Sequence, residues 1–172
     1  MNRSAVVMLA LSISGSCALL AQTNPVVAEQ KATYTANKNN LIKAAEKMPE
    51  EAYSFKPTPE MQTFGERMLH IANQIGTCSG MTGERKPNAA AGKTAKADIV
   101  AGLKASFDAC DVAWDSMNDK TAMEMVAGRG GQQRSKLSGL IGNTTHNTEM
   151  YGYISVYMRL KGVVPPTSDR AM

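Results

Sequence analysis

His146-Asn147-Thr148-Glu149-Met150-Tyr151-Gly152-Tyr153-Ile154-Ser155-Val156-Tyr157-Met158-Arg159-Leu160-Lys161-Gly162-Val163-Val164-Pro165-Pro166 is the stretch that decides how this chain folds. Leu137, Leu140, Thr144, Tyr151, Ile154 and Met158 recur at helical spacing through it and just before it, which predicts an amphipathic helix over 136–161. Gly162 can adopt the left-handed turn that ends helices, and Pro165-Pro166 prevents a restart. At roughly 100° per residue, His146 lies about 120° from the centre of that stripe. Met150 is one turn further along the same flank, and Glu149 adjoins it.

Three more amphipathic segments precede this helix. Val27, Tyr34, Leu41 and Met48 recur at heptad spacing, predicting a first helix over 25–48 that Pro49 closes. Pro57 and Pro59 keep the following connector, 50–62, extended, so that Tyr53 and Phe55 can cover one end of a core. Thr63 and Glu66 have the spacing of a capping box, and Phe64, Met68, Ile71, Ile75 and Cys78 form the stripe of a second helix over 63–78. His70 lies about 120° off that stripe, the same offset as His146 on its own helix. A loop rich in Gly, Ala, Pro and Lys fills 79–96. Ile99, Leu103, Phe107, Cys110, Trp114 and Met117 mark a third helix over 97–117. Residues 121–135 form a second long connector, whose Gly128-Arg129-Gly130-Gly131 run lacks the lysine and spacing of a phosphate loop. Four such helices, with long connections after the second and third, predict an all-α four-helix bundle.

Composition agrees with that class. Aromatic residues are only 5% of the 172, whereas methionine is abundant at 12, a balance that suits helix packing better than sheets. The net charge of +4 is spread along the chain without a Lys/Arg cluster, so nucleic acid is not an expected partner. Residues 1–21 have the layout of a secretory signal: Arg3, a short apolar run from Ala5, and small residues ahead of Gln22. Cleavage there leaves a domain over 25–168 with no membrane span, exported to the periplasm or the extracellular space. Cys17 lacks the preceding leucine of a lipid-modified cysteine. Cys78 and Cys110 remain. In an oxidising compartment they either pair or sit as buried thiols, and the sequence leaves both open.

The chemistry on offer is narrow. There is no Gly-x-Ser-x-Gly elbow, and neither remaining cysteine has a neighbouring base. His70 and His146 are the two histidines of the chain. If their flanks face each other, they meet as two candidate metal ligands with Met150 beside them, the way bundles build metal sites. The soft thioether suits Cu(I); zinc or nickel would need Glu149 or water to complete the shell. The plainer alternative is two ordinary, partly exposed histidines.

Tyr53-Ser54-Phe55-Lys56-Pro57-Thr58-Pro59-Glu60, Phe64-Gly65-Glu66 and His70-Ile71-Ala72 resemble the start of a DinB-like protein. His146 to Gly152, with Tyr157-x-Arg159-Leu160-x-Gly162-x-Val164-Pro165-Pro166, resembles its end. The resemblance spans about 25–168 and implies a DinB-like four-helix bundle. It also implies a divalent metal ion (Zn or Ni) held by one histidine of the second helix and a His-x-x-x-His pair of the fourth. His70 and His146 match the first two positions; Met150 stands at the third, where this chain departs. Relatives that use small thiols imply a metal-dependent thiol-transferase or hydrolase-type activity, and family bundles often form homodimers. The alternative is a non-catalytic bundle, with Met150 at the lost ligand position, that binds a small molecule or partner in the cell envelope.

Overall fold

The computed structural model describes residues 25–169. Residues 1–21, read above as a signal, lie outside them. In chain order the elements are α1 (Pro25–Lys47), α2 (Phe64–Ala72), α3 (Ile75–Thr82), α4 (Lys96–Asp115), α5 (Asp119–Ala122), the strands β1 (Met125–Ala127) and β2 (Gln133–Ser135), and α6 (Lys136–Leu160). α1 packs against α4 and α6, and α2 packs against the same two helices, which closes a four-helix bundle. The heptad residues of α1, Val27, Tyr34, Leu41 and Met48, are all buried in it. Tyr53 and Phe64 meet edge to face at 5.0 Å and seal one end, where the Tyr53 hydroxyl donates to the Ala45 carbonyl at 2.6 Å. Gly162 takes φ +72° and ends α6, as its place before the two prolines predicts.

The structure departs from the sequence reading at three places. The second helix is broken at Asn73-Gln74 and then continues to Thr82 instead of stopping at Cys78. Around the break the bonding tightens to i→i+3, from Gln74 N to Ile71 O, Gly76 N to Asn73 O and Thr77 N to Gln74 O. That re-aims α3 so that Cys78 meets Cys110 of α4 in a disulfide with 4.8 Å between Cα atoms. The bridge left open by the sequence is therefore formed. Second, α5, capped by the Asn118 side chain, runs into the connector 121–135, which then forms a short antiparallel hairpin pairing Val126 with Arg134. Its three-residue strands have no buried residue and are too short to carry a period that a sequence pattern could reveal. Third, the loop before α4 is pinned. Asn88 Nδ2 donates to Asn73 Oδ1 at 3.1 Å, and Ala90 is buried against Gly102. A Cβ at 102 would sit 2.3 Å from that of Ala90, so only glycine permits the approach.

Candidate functional site

α2 and α6 run antiparallel and meet in regular layers. Phe64 lies by Tyr157, Arg67 by Met150, His70 by His146, and Gln74 by Asn143 and Asn147. The register starts at the capping box of α2, where Thr63 Oγ1 accepts from Glu66 N and Glu66 reaches back to Thr63 N. It is held at the same end by the Tyr157 hydroxyl, which donates to the Gln62 carbonyl at 2.7 Å. The two flanks suspected from the sequence thus face each other. His70 Nε2 and His146 Nε2 are 3.0 Å apart, with ring centroids 5.0 Å apart. His70 is exposed and His146 half-buried.

A buried amide relay orients His146. Gln74 Nε2 donates to Ser106 Oγ at 3.0 Å, while its Oε1 accepts from Asn143 Nδ2 at 2.8 Å and from Asn147 Nδ2. With its nitrogen committed to Gln74, Asn147 turns its Oδ1 to His146 Nδ1, 3.3 Å away. An oxygen there calls for a proton on Nδ1, which leaves the Nε2 lone pair of His146 facing His70. In the neutral pair His70 Nε2–H then donates to that lone pair. Partial burial, the neighbouring His146 and the Arg67 charge together hold the His70 pKa below the usual histidine range.

The other two residues singled out by sequence behave differently. Met150 is buried, and its sulfur accepts from Arg67 Nη1 at 3.8 Å. Glu149 is exposed. Among the described residues no cluster of three or more His, Cys, Asp or Glu is placed to hold a metal ion. Two nitrogen ligands about 2.1 Å from one ion are about 3.4 Å apart at the tetrahedral angle of zinc and about 3.0 Å apart at the right angle of an octahedral shell. The imidazole pair, 3.0 Å apart, is near that spacing, and the proton shared between the two nitrogens would have to leave for both lone pairs to turn to one ion. His146 also has the outer hydrogen bond that metal-bound histidines use to fix their tautomer. Two coordination positions therefore fit a divalent ion. The third does not, because the Met150 sulfur already faces a guanidinium whose charge opposes any cation.

Arg67, Gln74 and Asn147 went unread in the sequence. A signal existed for two of them. Gln74 interrupts the stripe between Ile71 and Cys78, and Asn147 fills the heptad position between Thr144 and Tyr151, so each is a polar residue where the core face requires an apolar one. Arg67, one turn before His70, carries no such mark.

Comparison with known proteins agrees with the helical-bundle fold. The family description "DinB superfamily" matches residues 33–154. A search of the curated proteins finds no match. Among solved structures, a DinB-like protein from Bacillus cereus ATCC 10987 is similar with a TM-score of 0.67 at 22% identity, covering 84% of this chain and 97% of its own. A DinB-like protein from Bacillus subtilis is similar with a TM-score of 0.64 at 15% identity, over 84% of this chain and 99% of the other. A mycothiol-dependent maleylpyruvate isomerase is similar with a TM-score of 0.58 at 16% identity, over 77% of this chain and 66% of the other. At these identities the likeness is one of fold.

Proposed function

This chain belongs to the DinB superfamily, and from that premise we propose that its functional centre is the His70–His146 pair, used to bind a divalent metal ion such as zinc or nickel. The observation that carries the proposal is the 3.0 Å approach of the two Nε2 atoms across α2 and α6. His70 and His146 would supply two adjacent ligands, leaving the remaining positions to water or to a small ligand. A bound ion would supply Lewis-acid activation of a thiol or water held there. The chain's own part is positional: Gln74 and Asn147 fix the His146 ring, and Met150 supplies no nitrogen donor. Export to the periplasm or beyond is part of the same proposal. It is supported by the layout of residues 1–21 and by the Cys78–Cys110 bridge, which suits an oxidising compartment. Among the described residues no helix is long and apolar enough to cross a membrane.

The test is a competition titration of metal-free protein with Zn²⁺ and Ni²⁺ against a chromophoric chelator. One ion per chain is expected, with binding lost in both His70→Ala and His146→Ala. No saturable binding, or binding indifferent to both changes, would overturn the proposal. A second reading, a bundle that binds its ligand without metal, is favoured by one observation, the guanidinium of Arg67 on the Met150 sulfur.

A further inference from the structure

Arg67 is held in an unusual way. Its Nε is sealed from solvent with no hydrogen-bond partner, Nη1 points at a thioether, which is a weak acceptor, and the guanidinium lies 5.1 Å over the Tyr153 ring. The five ion pairs among the described residues are all made by lysines, and none includes Arg67. A half-buried guanidinium gives up water without a counter-charge in return, which is costly. The planar fork is thus held with Nη1 on the Met150 sulfur and its face over Tyr153. Arg134 shares the unpartnered Nε but sits on the hairpin, with no imidazole beside it. Arg67 instead lies one helical turn from the paired rings of His70 and His146, and among the described residues none of the five ion pairs engages any of the three.

We propose that Arg67, with His70 and His146, forms a binding site for a small oxyanion, a carboxylate or phosphate group on the ligand of this centre. With Nε sealed and Nη1 on the Met150 sulfur, the Nη edge is the part of the guanidinium open to such a group, whose oxygens are far better acceptors than the thioether they would displace. The two imidazoles lie one turn away, so the rest of a small ligand would extend over them. The inference rests on the functional centre lying at the histidine pair; it does not require that a metal be bound.

Because the chain has only two histidines, their ring signals report on the site directly. Metal-free protein, treated with chelator, is titrated with inorganic phosphate and separately with acetate at constant ionic strength, and the ring C–H resonances are followed by NMR. Saturable shifts of both rings are expected. Arg67→Gln should weaken the binding at least tenfold, and Arg67→Lys, which keeps the stem and the charge but loses the fork, should weaken it less. The relative affinity for phosphate and acetate identifies the ligand's acidic group. Linear, non-saturating shifts, or equal affinities in wild type and Arg67→Gln, would overturn the inference. Repeating the metal titration on Arg67→Gln separates the two proposals. Anion binding without metal binding would leave the site standing and remove the metal. Metal binding with anion affinity indifferent to Arg67 would do the reverse.

Discussion

Replacing Gln74 with leucine tests the relay and the site together. The two side chains are close in volume, so the change removes hydrogen bonds with little cavity. It strands Ser106 Oγ and Asn147 Nδ2, which belong to residues exposed by only 0% and 1%. Asn143, half-buried, keeps Cys78 Sγ at 3.7 Å as an alternative acceptor. Each sealed polar group left unmatched costs about 2 kcal/mol at mid-range, so the two cost about 4, and the added apolar burial of leucine offsets about 1.5, for a net loss of about 2.5 kcal/mol. That is a large share of a domain stability of roughly 5–15 kcal/mol. Urea unfolding should show the midpoint fall at unchanged m-value. With Asn147 released, ring-nitrogen NMR should also show His146 losing its preference for the Nδ1–H tautomer. A loss below about 0.5 kcal/mol together with an unchanged tautomer would refute the reasoning, since neither the core nor the histidine would then depend on the amide.

Four further outcomes follow from particular positions. The Cys78–Cys110 bridge closes a loop with a sequence separation of 32, so the double Cys→Ala variant should lose about 3.7 kcal/mol in urea unfolding on the chain-entropy count; a loss below about 1 kcal/mol would contradict it. The folded-state pKa of His70 is depressed, so the unfolded chain takes up its proton first as pH falls. Stability should be full above the ordinary histidine value of about 6.5 and decline below it. Thermal melts of His70→Gln should show a flatter decline, and parallel slopes for the two proteins would rule out the linkage. Gly102→Ala should destabilise by about 1–3 kcal/mol because the new methyl meets Ala90 at 2.3 Å. Gly142→Ala, with open space around it in α6, should instead stabilise by about 0.5–1 kcal/mol through helix propensity.

What the sequence disclosed and what it hid divide along physical lines. The stripes of α1, α4 and α6 repeat often enough that apolar burial had one solution, and the capping box at Thr63 marked where α2 begins. The facing of His70 and His146 was legible because both sit at the same offset from their stripes, and that offset is meaningful once two antiparallel helices share a register. The break at Asn73-Gln74 was not legible. It depends on partners distant in sequence, Ser106, Asn143 and Asn147, that draw the Gln74 amide inward. The hairpin escaped for a different reason, since its strands are too short and too exposed to carry a period. Arg67 escaped because an arginine on a helix flank is usually solvated, and only the coordinates show it stacked on Tyr153 without a counter-ion.

The metal and the oxyanion are not independent questions, because one charge governs both. A divalent ion one helical turn, about 5.4 Å, from a guanidinium is repelled by about 1.5 kcal/mol in bulk water and by about 6 kcal/mol at an effective dielectric constant of 20. Even the lower figure weakens a two-histidine site about tenfold, and that site already lacks a third nitrogen donor. An anion placed between the ion and Arg67 cancels much of the repulsion. Binding of either should therefore raise the affinity of the other, by the same factor in both directions, as linkage requires. Met150 alongside Arg67 thus does more than supply no nitrogen donor. On the two proposals together, a cation alone is the disfavoured guest of this site and a cation accompanied by an acid the favoured one.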